Sequence, residues 1–314
     1  MATSNIWTER YRPKTFEEVV GQEKIIARIS SFVKQKNLPH LLFSGPAGTG
    51  KSTIALIIAK ELFKDSWQQN FLETNASEER GIQTVREKIK DYVRTKSMGT
   101  DIPKIIFLDE ADALTREAQQ ALRRMMEQYT STARFILSCN YGSKIIDPIQ
   151  SRCAIFRFKP LEKEPISNLI NKLSKEEKLK VDEKAIDAIY EISEGDMRRV
   201  VNIMQSCASV SKTITDSLVY EISSAAEPKE LKQVLELALS KNFLKAKDQL
   251  LEIMLKHGLS GLDIIKQIQK EVWNLKIEDE KKLKIIEKCG EIEFRMVEGS
   301  DEFLQLQSLL ASFL

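Results

Sequence analysis

The sequence lacks the long apolar stretch that a membrane-spanning helix requires. Its longest apolar run, IALIIA at residues 54 to 59, is far shorter than the roughly 20 residues that cross a bilayer as a helix. The first residues, MATSNIWTERYRP, show no basic segment followed by an apolar one, so we expect no signal peptide. These absences predict a chain without a membrane partner.

Cysteine and histidine are scarce as well. The chain has two histidines and four cysteines, which are Cys139, Cys153, Cys207 and Cys289, and no two cysteines form a CxxC pair. With four widely separated cysteines and two histidines, neither a zinc site nor a disulfide framework is supported. We therefore expect reduced, buried thiols and a cytosolic or nuclear compartment.

An excess of charge of one sign is also absent. The chain carries 48 basic and 46 acidic residues, for a formal net charge of +2. Any attraction to nucleic acid must therefore come from local basic patches. What the chain does have is length and apolar content, because 314 residues that are 42% hydrophobic are enough for two or three packed domains.

Short apolar runs with β propensity alternate with helical patterns in the first half of the chain. The predicted strands are LLFSG (41–45), FLETN (71–75), KIIFLDE (104–110), RFILSCN (134–140) and AIFRF (154–158). Runs that are apolar on both faces are typical of parallel strands covered by helices on each side. The sequence predicts an α/β domain with a parallel sheet over residues 1–160.

Beyond Pro160 the apolar spacing becomes helical. We predict a small helical domain over residues 161–226 and an all-helical domain over 227–314, which Pro228 opens. The last domain offers no obvious chemistry, so we interpret it as a packing or assembly domain.

The segment GPAGTGKS, residues 45–52, fits the phosphate-binding pattern of glycine, four residues, glycine, lysine and serine. It lies between a predicted strand and a predicted helix, where its glycines allow backbone N–H groups to surround phosphates at a helix N-terminus. Lys51 is placed to meet the β and γ phosphates, and Ser52 to coordinate Mg²⁺. The predicted nucleotide contacts of this loop are Gly45, Gly48, Thr49, Gly50, Lys51, Ser52 and Thr53. The pattern predicts ATP and Mg²⁺ as cofactors.

The segment KIIFLDEAD, residues 104–112, predicts a buried strand that ends in paired acids. Asp109 suits a direct or indirect role at Mg²⁺, and Glu110 is placed to orient and deprotonate an attacking water. Two acids at a strand end could instead cap the following helix. Because a phosphate loop lies upstream, ATP hydrolysis is the favoured reaction.

Two asparagines end further predicted strands. Asn140 follows FILSC and could hold the water or the γ-phosphate, although it could also be an ordinary turn asparagine. Asn75 ends LETN and could hydrogen-bond Glu110, holding that carboxylate away from water until it is released.

Together these stretches resemble the AAA+ ATPases, and further motifs narrow the resemblance. The motifs are ERYRPKTFEEVVGQE (9–23), NASEERGI (75–82), LDEADALTREAQQALRRMME (108–127), SRC (151–153) and GDMRRVVN (195–202). They are similar to the small subunits of replication factor C, the sliding-clamp loader of archaea and eukaryotes. The resemblance covers the first two domains motif by motif and the third by length and helical character.

The resemblance implies roles for residues outside the phosphate loop. Arg12, Pro13 and Val20 would line the adenine pocket. Arg198, in GDMRR, would reach the γ-phosphate from the helical lid formed by the second domain, although it could also be a surface arginine at a helix start. Arg152, in IQSRC, could be a salt-bridging residue at a domain edge, but the resemblance places it at the subunit edge as an arginine finger that faces the neighbour's ATP.

A helix predicted from SEERGIQTVREKIKDYVRTK carries an apolar stripe with basic residues on an adjoining face. On composition alone this is a solvated helix flank. In the resembled family, helices of the ATPase domains line a spiral that follows the DNA backbone. The residues predicted to contact phosphates on this ground are Arg80, Arg86, Lys90 and Arg116.

The resemblance implies an ATP-driven loader that places a ring clamp on primed DNA, at a junction of double and single strands, without covalent change to the DNA. The implied partners are a large subunit and other small subunits, in a hetero-oligomer expected to be a pentamer and held by the collar over residues 227–314. The compartment would be the cytoplasm in an archaeon or the nucleus in a eukaryote.

Other classes remain open. A branch-migration or origin-recognition motor of the AAA+ class would be expected to append a winged-helix domain, whereas residues 229–314 are predicted to be helical. A non-hydrolysing scaffold would bind ATP only to assemble, but Glu110, Asn140 and Arg152 together argue against it. The bacterial clamp-loader motor is disfavoured because its four-cysteine zinc module is absent.

Overall fold

A computed structural model of the chain describes residues 6–77, 82–95, 97, 99–223 and 225–313, and of residues 82–86 it describes the backbone alone. The chain divides into two compact units. The first comprises Met1–Lys172 with Ser193–Asn202, and the second comprises Leu173–Ile192 with Ile203–Leu314. The finer division into three domains stays a prediction.

The first unit is built on a sheet of five parallel strands. In chain order they are β1 (His40–Ser44), β2 (Phe71–Asn75), β3 (Lys104–Asp109), β4 (Ala133–Cys139) and β5 (Cys153–Arg157). Their order across the sheet is β2-β3-β4-β1-β5. All five predicted strands are confirmed, each within one residue at either end.

Helices cover both faces of this sheet. The α-helices of this part of the chain are α1 (Trp7–Arg10), α2 (Glu23–Lys34), α3 (Lys51–Phe63), α4 (Trp67–Asn70), α5 (Ile82–Arg94), α6 (Arg116–Gln128), α7 (Asp147–Gln150) and α8 (Lys163–Glu177). Side chains of a strand alternate between faces. Leu41 and Phe43 therefore pack with α2 and α3, whereas Leu42 packs with α5, α6 and α7 on the opposite face. This double coverage explains why the strands are apolar on both sides.

The remaining elements are mainly helical. They are α9 (Glu183–Ser193), α10 (Met197–Val210), α11 (Asp216–Ile222), α12 (Pro228–Leu239), α13 (Phe243–His257), α14 (Gly261–Glu271), α15 (Asp279–Val297) and α16 (Glu302–Ala311). The expectation of helices alone beyond Pro160 was wrong in one detail, because β6 (Lys180–Val181) pairs in parallel with β7 (Thr213–Ile214). Strands of two residues are too short to leave an alternating pattern in the sequence.

Two neighbouring helix ends of the C-terminal segment are set by capping residues. Gly258 ends α13 in the left-handed conformation (φ 64°), and the Ser260 hydroxyl accepts from the backbone N–H of Asp263 at the start of α14. Between residues 225 and 313, all of which are described, there are helices and no strand. The hairpin expected of a winged-helix domain is therefore missing from this segment.

His40 begins β1 and is a buried histidine held in its neutral form. Its Nδ1 accepts a hydrogen bond from the backbone N–H of Phe135 at 3.0 Å, and the ring also bonds to the backbone of Met126. Burial, helped by the charge of Arg134, lowers the pKa of His40 to about 4. A proton on Nδ1 would remove the acceptor that Phe135 uses.

We expect the free energy of unfolding to fall as the pH is lowered from 6.5 to 5. The unfolded chain protonates His40 near its ordinary pKa of 6.5, whereas the folded chain resists protonation until about pH 4, so the stabilisation is present above 6.5 and is lost below it. The loss should be about 1.5 kcal/mol over this window. Urea unfolding at several pH values measures it, and His40→Gln should flatten the slope. An unchanged slope in that variant would assign the pH dependence to other groups.

Candidate functional site

The strand order brings together the ends of three strands that are distant in sequence. Because β4 lies between β1 and β3, the loop after β1, Asn140 after β4 and Asp109 at the end of β3 meet at one edge of the sheet. Ligands of open parallel sheets bind outside these carboxyl ends. The fold therefore places the predicted site residues where such sheets bind ligands.

The loop of residues 45–50 leads directly into α3, which begins at Lys51. Gly48 and Gly50 have φ values of 66° and 97°, a region that favours glycine. A Cβ on Gly48 would lie 1.6 Å from a carboxylate oxygen of Asp196. The Thr49 hydroxyl donates to the carbonyl of Pro46 at 2.9 Å and tightens the turn. The loop thus has the compact shape at a helix N-terminus that suits phosphate oxygens.

Lys51 lies buried at the centre of this loop. Its ammonium donates to the carbonyls of Gly45 at 2.6 Å and Pro46 at 2.7 Å, and to the side-chain oxygen of Asn140 at 3.3 Å. Burial lowers the pKa of Lys51, an effect that the nearby Asp109 opposes. Two residues predicted from separate motifs, Lys51 and Asn140, are therefore in direct contact.

Ser52 and Asp109, the two predicted Mg²⁺ residues, are also in contact. The Ser52 hydroxyl donates to Asp109 Oδ2 at 2.7 Å. A hydroxyl and a carboxylate are the hard oxygen donors that Mg²⁺ prefers. No cluster of three or more histidine, cysteine or acidic side chains suited to a metal occurs in the described part of the chain. The pair fits Mg²⁺ as phosphate sites hold it, through one or two protein oxygens and the substrate.

Glu110 has an unusual backbone. Its φ of 53° and ψ of 38° lie in the left-handed region, and its N–H donates to Asp109 Oδ1 at 3.0 Å. The other described non-glycine residues with positive φ all follow helix C-termini, and Glu110 alone follows a strand. Holding a non-glycine residue in this region costs on the order of 1 kcal/mol of conformational free energy, and residues held in this way are typical of functional sites. The turn leaves the Glu110 side chain exposed at the edge of the sheet.

Asp112 is a site residue that the sequence reasoning missed. Its Oδ2 accepts from the backbone N–H groups of Asn140 at 3.2 Å and Tyr141 at 3.1 Å. This bond fixes the chain at the end of β4 and so orients Asn140 toward Lys51. Asp112 is visible in the sequence as the third acid of DEAD, residues 109–112. The sequence does not show that its partner is the backbone at the end of another strand.

Arg198 is brought to the phosphate loop by the start of α10. Asp196 Oδ1 accepts from the backbone N–H groups of Arg198 at 2.8 Å and of Arg199 at 3.1 Å, and the N–H of Met197 donates to the carbonyl of Gly48 at 3.2 Å. The charge of Arg198 contributes to lowering the pKa of Lys51. Asp196 therefore both caps α10 and packs against the loop.

The N-terminal segment reaches the same helix through Arg12. The Arg12 guanidinium donates from Nε to the hydroxyl of Thr53 at 3.2 Å and pairs with Glu9 at 3.6 Å. Pro13 and Val20 are half-buried in the same segment. Arg12 thus joins the N-terminal segment to the first turn of α3, while the adenine pocket itself stays a prediction.

Two predicted residues have contacts outside the loop. The side-chain oxygen of Asn75 accepts from the backbone N–H and the hydroxyl of Ser77, both at 2.9 Å, and among the described residues no hydrogen bond joins it to Glu110. Arg152 donates to the carbonyl of Pro148 at 2.7 Å and pairs with Glu127. The roles proposed for Asn75 and Arg152 stay predictions.

The predicted DNA contacts fall on neighbouring helices. Arg116 is exposed at the first position of α6, and Lys90 is half-exposed on α5, which packs beside α6. Arg80 lies outside the described residues, and of Arg86 the structure describes only the backbone, in α5. The DNA contacts of all four residues stay predictions.

The parallel sheet, the loop of residues 45–52 and the acids at the end of β3 define a nucleotide-binding domain of the AAA class. Two family profiles match the chain. One is described as ATPase family associated with various cellular activities and matches residues 41–161, and the other is described as Replication factor C C-terminal domain and matches residues 226–312.

Curated relatives narrow the class. The chain is 52% identical to the replication factor C small subunit of Methanococcus maripaludis strain C6, over 97% of each chain. It is 51% identical to that of Staphylothermus marinus, over 98% of this chain and 93% of the relative, and 47% identical to that of Archaeoglobus fulgidus, over 99% and 98%. The chain belongs to the replication factor C small subunit family, as its motifs predicted.

A solved structure supports the fold alone. The Thermotoga maritima RuvB Holliday junction branch migration motor is 18% identical, with a TM-score of 0.56 over 72% of this chain and 78% of that one. Among the described residues, no helix is long and apolar enough to cross a membrane.

Proposed function

We propose that this chain binds and hydrolyses ATP as one subunit of a clamp loader, which opens a ring-shaped sliding clamp and loads it onto primed DNA during replication. The observation that carries the proposal is the meeting of Lys51 with Asn140 and of Ser52 with Asp109, at the ends of adjacent strands. Family membership supplies the assembly in which such a site would act.

Within the site we assign roles by position. Lys51 meets the β and γ phosphates, and Asn140, which Lys51 and Asp112 orient, holds the attacking water or the γ-phosphate. Glu110 accepts the proton of that water. Mg²⁺, held by Ser52 and Asp109, would neutralise charge on the phosphates when bound.

Residues of other elements complete the nucleotide site in this proposal. Arg198 reaches the γ-phosphate from the start of α10, whose first N–H is bonded to Gly48. Arg12, Pro13 and Val20 line the adenine pocket beside α3. The phosphate loop and the first turn of α3 thus contact both the N-terminal segment and the start of α10. A change in the bound nucleotide can therefore alter the positions of these two segments.

We further propose that the working unit is a hetero-oligomer, a pentamer of a large subunit with small subunits joined through the collar of residues 227–314. Arg152 would act on the ATP of the neighbouring subunit. None of its described bonds reaches the loop of residues 45–52, which suits a residue that serves another chain. The archaeal relatives favour the cytoplasmic alternative for its compartment.

The DNA partner would be held through phosphates, by Arg80, Arg86, Lys90 and Arg116 of each subunit. Contacts to phosphates position a protein on DNA without reading the base sequence. A loader that acts at any primer end requires binding of this kind. Each phosphate neutralised adds about 0.9 to the slope of log affinity against log salt. A few contacts per subunit bind weakly alone and strongly when several subunits follow one duplex.

The test is the ATPase rate of this chain assembled with its large subunit, measured with and without primed DNA and a ring clamp. We expect DNA and clamp each to raise the rate, because both would stabilise the closed assembly in which sites are complete. An assembly containing Lys51→Ala should lose most of the activity, which excludes a contaminating ATPase. If neither ligand raises the rate, the clamp-loading function is wrong.

A further inference from the structure

The guanidinium of Arg152 is held by two groups of its own chain. Nη1 donates to the carbonyl of Pro148 in α7 at 2.7 Å, and Nη2 forms an ion pair with Oε1 of Glu127 near the end of α6. Because the two contacts come from different elements, they fix the plane of the guanidinium as well as its position. A guanidinium has five N–H groups, so two contacts leave three for a further ligand.

Glu127 is itself held from one turn earlier on α6. Arg123 Nη1 lies 3.5 Å from the same Oε1 atom that Arg152 contacts. One carboxylate therefore lies between two guanidinium groups and offsets their mutual repulsion. Arg123, Glu127 and Arg152 together carry a net charge of +1, which would attract a phosphate group.

The contribution of these ion pairs to folding stability is too small to explain the arrangement. The side chains of Arg152 and Glu127 are 35% and 41% exposed, and ion pairs with this much access to water contribute little to folding. What these contacts do provide is a fixed orientation of the Arg152 guanidinium. An arginine that is already held in place loses less conformational freedom when it binds a phosphate.

We propose that Glu127 is a positioning residue for Arg152, which it holds in the orientation that meets the neighbouring subunit's ATP. This inference rests on the trans role proposed above for Arg152. Glu127 itself would touch neither the nucleotide nor the reacting atoms. Its removal should therefore slow hydrolysis without weakening nucleotide binding.

The test uses Glu127→Ala and Glu127→Gln in the full assembly with the large subunit, clamp and primed DNA. We expect Glu127→Ala to lower kcat about tenfold, with KM for ATP and the ATP affinity of the isolated chain unchanged. Glu127→Gln keeps the shape of the side chain and should give a smaller loss. It also serves as the variant of choice if the alanine variant is less stable in thermal unfolding.

A double variant separates positioning from a general structural role. Arg152→Ala with Glu127→Ala should be no slower than Arg152→Ala alone, because the positioning residue then has nothing to position. The matched control is Glu61→Ala, since the Glu61 side chain is 39% exposed and pairs with Lys64 one turn away on the same unit. That variant should hydrolyse ATP at the normal rate.

The outcomes distinguish this inference from the proposed function. If Arg152→Ala slows the assembly but Glu127→Ala does not, the positioning role is wrong and the trans role stands. If the two substitutions slow hydrolysis additively, Glu127 acts elsewhere and the inference is also wrong. If Arg152→Ala has no effect, the trans role fails and the positioning role fails with it.

Discussion

Replacing Arg152 with alanine is expected to slow ATP hydrolysis by the assembled loader by roughly 10³-fold at each site that this residue serves, which is about 4 kcal/mol of barrier. The reason is charge: an arginine that reaches the γ-phosphate from a neighbouring subunit stabilises negative charge that develops in the transition state. ATP affinity of the isolated chain should not change, because the described contacts of Arg152 are to Pro148 and Glu127.

Single-turnover hydrolysis in the assembly and nucleotide titration of the isolated chain measure the two quantities separately. Arg157→Ala is the matched control, since Arg157 is an exposed arginine at the end of β5 with no assigned role. Arg152→Lys should recover little of the rate, because a lysine keeps the charge but lacks the planar fork. Weakened ATP binding by the isolated Arg152→Ala chain would mean that the residue serves its own site.

The strands could be predicted from the sequence because each is buried on both faces. Leu41, Leu42 and Phe43 illustrate this, since consecutive residues of β1 enter different cores and all are apolar. The order of the strands could not be predicted this way, because nothing in the local pattern of β4 specifies that it inserts between β1 and β3. That insertion is what places Asn140 within 3.3 Å of Lys51.

Asp112, which sequence reasoning missed, acts through backbone groups of a distant segment. Its carboxylate accepts from the backbone N–H groups of Asn140 and Tyr141 at the end of β4. Such contacts depend on tertiary geometry, and an acid that binds backbone can have almost any sequence spacing from its partner. The phosphate-binding motif GPAGTGKS, in contrast, keeps its residues within one loop and is visible as a pattern.

Glu110→Gln is expected to lower kcat for ATP hydrolysis by about 10² to 10⁴-fold, while ATP and Mg²⁺ still bind. The change keeps the length of the side chain and the hydrogen bond from its backbone N–H to Asp109, but it removes the carboxylate that we propose as the acceptor of the proton of water. Nucleotide affinity should be retained because Lys51, Ser52 and Asp109 are untouched. Steady-state kinetics together with a binding titration in Mg²⁺ measure both effects.

A second substitution at the same position uses the backbone geometry. Glycine adopts the left-handed conformation of residue 110 without the cost that an L side chain bears, so Glu110→Gly should be at least as stable as the original chain in thermal unfolding. Its hydrolysis rate should nevertheless fall as far as that of Glu110→Gln. A glycine variant that hydrolyses ATP normally would remove Glu110 from the reaction. A glycine variant that unfolds more readily would show that the Glu110 side chain also stabilises this turn.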